Sequence, residues 1–156
     1  MLSARLVIAH VLQTWTTLLI KTPNTVRQTE DSWLMLDGIR DLVAWVHVAQ
    51  VDAAANLTIN LETSPTPEES FFIFQPPVVS FNVTAPGVYM AVSRAVATNP
   101  PSSTPLQQYL RWAVVPTGGV DCGVTFRLIV GLNPVVPDFA ITCGEERFTN
   151  PLLGGF

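Results

Sequence analysis

The stretch "NLTINLE" (residues 56–62) decides how the rest of the chain reads. Leu57, Ile59 and Leu61 alternate with Asn56, Thr58, Asn60 and Glu62. Successive side chains of a strand point to opposite faces, so the alternation places aliphatic groups on one face and polar groups on the other. The segment is predicted to be a half-buried antiparallel strand, one face on a core and one in water.

The same period of two extends outward from it. In "LVAWVHV" (42–48), Leu42, Ala44, Val46 and Val48 face one way and Val43, Trp45 and His47 the other. Both faces are largely apolar, which predicts a central strand with little solvent exposure. "GVYMAVSR" (87–94) sends Val88, Met90 and Val92 to one side. "YLRWAVV" (109–115) sends Leu110, Trp112 and Val114 to one side and Arg111 to the other. "VTFRLIV" (124–130) puts Val124, Phe126, Leu128 and Val130 inward, with Arg127 on the opposite face. "FFIF" (71–74) and "VSFNV" (79–83) read as two more strands, separated by Pro76-Pro77, which cannot donate to a ladder.

Turn chemistry falls between these runs, at Ala85-Pro86-Gly87, at "ATNPPSSTP" (97–105) and at Thr117-Gly118-Gly119. Short strands punctuated in this way predict an all-β fold: an antiparallel β-sandwich, jelly-roll-like, with extended N- and C-terminal arms. A short helical turn is expected near 37–41, capped by Asp37. The organisation expected is an N-terminal strand or arm over 1–30, a sandwich domain over 31–132, and a C-terminal strand and tail over 133–156. The tail contains one further candidate strand (139–143).

Composition limits what the fold does. The chain has 156 residues, 48% apolar and only 13% charged, against about 25% charged in typical soluble domains. Either the surface is unusually apolar or much of it meets another protein, and the second reading is favoured. The net charge is −4 and Lys21 is the sole lysine. Seven scattered arginines among twelve acids suit neither nucleic acid nor an anionic membrane surface. The N-terminal apolar run is interrupted by His10, Gln13 and several threonines, too polar for a membrane span. Two cysteines, Cys122 and Cys143, match no zinc spacing, and a single disulfide between them stays open.

Catalytic patterns are missing. His10 and His47 lie in alternating apolar runs without metal-ligand spacing. No nucleophile elbow, dinucleotide fingerprint or phosphate loop occurs. Glu68-Glu69 and Glu145-Glu146 are adjacent pairs, and in extended chain adjacent side chains diverge. No cofactor or metal is expected, and the chain reads as non-enzymatic.

Contacts are more informative. Arg111 and Arg127 sit mid-strand, placed either to pair across the sheet with Glu62 or Asp41 or to meet a neighbouring subunit. Phe71, Phe72 and Phe74 cannot share one face of a strand, so they offer aromatic surface beyond a single core. The tail is rich in Phe148, Leu152, Leu153 and Phe156, unlike a solvated tail, and fits a partner groove or its own domain. Four tryptophans raise carbohydrate or receptor binding as the alternative function, with Trp33 as a candidate stacking platform and Trp45 and Trp112 expected in the core.

The ordered succession "SWLMLDGIRDLVAWVHVAQV", "ANLTINLETSPTPEESFFIF", "YLRWAVVP" and "VTFRLIVGL" resembles small β-sandwich structural proteins of tailed bacteriophages and phage-like particles. The resemblance covers about residues 31–132. It implies a virion component, such as a head decoration or accessory subunit, assembled in the host cytoplasm. It also implies a homo-oligomer that binds the major capsid protein or other virion subunits. It implies no catalytic residue.

Overall fold

The computed structural model of the chain describes residues 8–52, 56–93 and 104–135. The described residues form nine strands, one short α-helix and one 3-10 turn. Sheet A contains β1 (Ile8–Ile20), β9 (Cys122–Pro134), β4 (Ile39–Val51) and β7 (Gly87–Val92), in that order. Sheet B runs β2 (Val26–Arg27), β8 (Tyr109–Pro116), β5 (Leu57–Ser64) and β6 (Val79–Val83), with β3 (Leu34–Met35) also paired to β8. Every pairing is antiparallel.

β2 and β3 lie end to end along the same neighbour. Val26 pairs with Val114 and Leu34 with Leu110. Between them the 3-10 turn Glu30–Ser32 lifts the chain off the ladder. Counted as one interrupted edge strand, they complete two four-stranded sheets, and the chain crosses between sheets at most of its connections. The fold is an antiparallel β-sandwich in an eight-stranded, jelly-roll-like arrangement.

The core is what alternation dictates. Leu57, Ile59 and Leu61 of β5 are wholly buried, as are Phe126, Leu128 and Val130 of β9. Leu42, Ala44, Val46 and Val48 of β4 join Leu110, Trp112 and Val114 of β8 in one continuous cluster. Trp112 meets Phe126 edge-on across the sandwich, with ring centroids 5.4 Å apart. The Trp112 indole N–H donates to Gln13 Oε1 at 3.1 Å, which satisfies its polar edge inside the apolar layer.

Three expectations are corrected. "FFIF" is not a strand: α1 (Glu69–Phe74) is a helix of one and a half turns. Four consecutive apolar residues carry no period, so helix and strand are indistinguishable there by pattern. Pro65 and Pro67 end β5 in a bend, where the Thr66 N–H donates to Ser64 Oγ at 3.2 Å, and Arg111 fixes Glu69 in the first turn. The helical turn near 37–41 is absent, because Gly38 turns the chain with φ of 67° directly into β4. Residues 8–20 form an integral edge strand of sheet A, paired with β9 from Ile8 to Ile20, so the sandwich does not begin at residue 31.

Phe126 supports both sheets from the centre. Phe126→Ala is expected to lower unfolding free energy by about 3–5 kcal/mol, read from urea denaturation.

Candidate functional site

The outer faces of the two sheets differ in chemistry. On sheet B the exposed side of β5 and β6 is polar: Thr58, Asn60, Ser80 and Asn82, with Ser80 Oγ donating to Asn60 Oδ1 at 2.7 Å. The exception is Arg111, whose side chain leaves the core side yet is only 1% exposed. It stands opposite Glu62 in register and donates from Nε to Glu62 Oε1 at 2.8 Å. Its two terminal nitrogens donate to both oxygens of Glu69, at 2.6 and 2.7 Å. Arg27 adds longer contacts of 3.7 Å to both carboxylates. Phe72 closes over the guanidinium at 4.1 Å and Trp33 approaches at 5.3 Å. The Trp33 and Phe72 rings also touch each other, with centroids 4.7 Å apart.

Burial works against the charge of Arg111, but its hydrogen bonds to Glu69 and Glu62 prevail and raise its pKa. The same hydrogen bonds, with the nearby positive charges, hold Glu69 below its ordinary carboxylate value despite partial burial. The cluster is a bolt. It joins β8, β5, β2 and α1 and brings a covering element over part of sheet B.

Sheet A has no such cover among the described residues: none of their helices or strands lies over its outer side. The register gives that face as rows running across β1, β9, β4 and β7. One row is Ala9, Gly131, Val43 and Val92. The next is Val11, Ile129, Trp45 and Met90. In a third, Trp15 stands beside Arg127, followed by His47 and Val88. Four strands at about 4.8 Å and three rows at about 6.8 Å make a face of roughly 400 Å², apolar except for Arg127 and His47 in the third row. The largest apolar patch of a monomer is about 300–600 Å² and is often functional.

The field is exposed where strands are least crowded. Val88 and Met90 are 65% and 64% exposed, Val92 55% and Val11 51%. Trp45, expected in the core, lies half-buried in the middle of this face. Beyond each end the chemistry turns polar. Thr17 and Thr125 share a hydrogen bond at 2.8 Å beside Gln50. At the other end Asn133 donates to Asp41 at 3.0 Å. The face therefore has an apolar centre between polar margins.

Arg127 belongs to this face. Its guanidinium lies 5.1 Å from the Trp15 ring, and Trp15 packs against His47 with centroids 4.9 Å apart. Arg127 Nε is buried without a hydrogen-bond partner among the described residues. Of the aromatic trio, Phe72 is buried under Arg111, whereas Phe71 and Phe74 are 41% and 86% exposed on α1. Phe148, Leu152, Leu153, Phe156 and Cys143 lie outside the described residues. Trp33 is engaged by Phe72 and donates to the Gln28 carbonyl at 3.0 Å, so its ring is not a free platform.

The sequence pointed to Arg127 but not to the field around it. The signal was present as two apolar faces on β4. Only register shows that Val88, Met90 and Val92 continue that second face instead of entering the core.

The remaining polar clusters are structural. Asp52 accepts from the Gly123 N–H at 2.6 Å and Asp121 from the Thr22 N–H at 2.9 Å, beside buried Cys122. Burial, with Asp52 and Asp121 nearby, pushes the Cys122 thiol up, away from the reactive thiolate. Among the described residues no group of three His, Cys, Asp or Glu side chains is placed to hold a metal, and no helix is long and apolar enough to cross a membrane.

No family model and no curated protein matches the chain. Among solved structures it is similar to the PBSX exported protein XepA, at 14% sequence identity and a TM-score of 0.48, over 81% of this chain and 37% of that one. The chain thus spans little more than a third of that protein's length.

Removing one partner of a buried ion pair leaves the other uncompensated. Arg111→Ala should therefore destabilise the fold by about 3 kcal/mol, the low end of the range because Glu69 is partly exposed, measured by chemical denaturation. Glu69 has a depressed folded pKa, so its contribution is present above the ordinary value of 4.5 and is lost as pH falls through the folded value. Thermal unfolding followed from about pH 6 to about pH 3 should show a shallower acid decline in Glu69→Gln than in the wild type.

Proposed function

We propose that the chain is a non-enzymatic structural subunit of a phage-like particle, a decoration or stabilising protein acting through protein–protein contacts. The observation that carries the contact role is the outer face of sheet A: an apolar field across four strands, edged by polar rows and bare of covering elements among the described residues. A sheet with one face in water alternates apolar and polar residues, as β5 and β6 do. β4 and β7 break that rule on their outer side, and a partner surface is the condition under which the breach is stable.

The particle context rests on the sequence resemblance alone. Its partners in this reading are the major capsid protein or other virion subunits, and its place is the virion. Function of this kind needs a rigid platform and a desolvated patch. The sandwich supplies the first, through its single core, and sheet A the second.

Purified protein added to particles stripped of it should bind to a fixed, saturable stoichiometry, counted by quantitative gel analysis of sedimented particles. Met90→Glu places a charge in the field without touching the core and should weaken binding to the particles at least about tenfold in Kd, equivalent to about 1.4 kcal/mol. Failure of the wild type to associate with any particle component overturns the assignment.

A further inference from the structure

We infer that the outer face of sheet A binds a second copy of this chain, face to face about a two-fold axis. This rests on the reading of that face as an assembly surface and names its occupant.

The face is self-complementary when its charges are placed along the strands. Stepping by two along β4, Asp41 is followed by Val43, Trp45 and His47. On β9 the same rows hold Asn133, Gly131, Ile129 and Arg127. The Arg127 row, with His47 beside it, therefore lies three steps, about 20 Å, from the acid–amide row, Asp41 with Asn133. The two rows between are apolar.

A two-fold axis lying in the interface, across the strands and midway between the Val43 and Trp45 rows, exchanges these ends. It sets His47 and Arg127 of one copy over Asp41 and Asn133 of the other, and the reverse, while Trp45 and Ile129 cover Val43 and Gly131. Stacked sheets sit about 10 Å apart, within the combined reach of an arginine and an aspartate. The contact also answers a local feature: Arg127, whose Nε has no hydrogen-bond partner among the described residues, is brought opposite the acceptors of the acid–amide row.

Area is consistent with a modest dimer. The three rows of roughly 400 Å², Arg127 and His47 included, and the two polar rows that edge them together span about 19 Å by about 34 Å, or roughly 650 Å² of sheet. A standard interface buries about 800 Å² on each partner. The charges add selectivity: sliding one copy by a single row carries Arg127 away from the acid–amide row of the other and leaves it covered without that acceptor.

Sedimentation of purified full-length protein, free of particles, tests this. The wild type should be a dimer at about 100 µM, where a micromolar contact is nearly saturated. Arg127→Glu and Asp41→Lys, each with unchanged circular dichroism, should each weaken self-association at least about tenfold, because each sets like charges together twice. An equimolar mixture of the two variants should recover the dimer, since every altered residue then faces its opposite. Residues 41 and 127 are about 20 Å apart within one copy, so this recovery reports a contact between copies. If either variant fails to fold, Met90→Glu, on the exposed edge strand, must give the monomer instead.

A wild type that stays monomeric, its face taken by its own tail or by another protein, overturns the inference. So does a mixture that stays monomeric while its folded components are intact. A monomeric chain that still saturates its particles overturns the dimer and leaves the structural-subunit reading standing.

Discussion

The guanidinium of Arg111 sets the two sheets apart in chemistry. It sits on the outer side of sheet B with its Nε on Glu62, its terminal nitrogens on Glu69, and Phe72 against its plane. A charge buried this deeply is tolerable only when its donors are satisfied. Meeting that condition draws α1 down onto β5 and Trp33 against Phe72. Sheet B thereby receives a lid made from its own chain. Among the described residues, sheet A has a comparable cation, Arg127, but no carboxylate beside it and no helix over it.

This asymmetry turns a symmetric architecture into an oriented one. Both sheets contribute equivalent inner faces to one core, so the interior does not distinguish them. The exteriors do. One is polar and bolted; the other is a field of valine, methionine, tryptophan and isoleucine between polar margins. A body with one dry face and one wet face has a defined way up on any surface it joins.

Much of this was legible in the sequence, and what was not has physical causes. The alternation in 56–62, 109–115 and 124–130 placed Leu57, Ile59, Leu61, Leu110, Trp112, Phe126 and Leu128 correctly, because period two is set by the backbone alone. "FFIF" misled because a run without polar residues has no period, and its helix is decided by Glu69 meeting Arg111, forty-two positions away in the chain. The outer field was half legible. β4 announced a second apolar face, but its continuation into β7 is a matter of which strand lies beside which. Pairing across 40 residues leaves no trace in local pattern.

The interrupted edge of sheet B has a consequence for growth. Along β8, the strand pair β2 and β3 is split by a 3-10 turn, so that border offers no long row of unpaired amides to an incoming strand. At the other border β6 is only five residues long and follows Pro76-Pro77. Both ends of the sheet resist templated extension. A chain this apolar and this low in charge is otherwise well suited to fibrous association, strand added to strand without limit. Blunt borders remove that route from sheet B and leave stacking of flat faces, which stops once both partners are covered. The broken strand thus acts as a stop signal for lateral growth of sheet B.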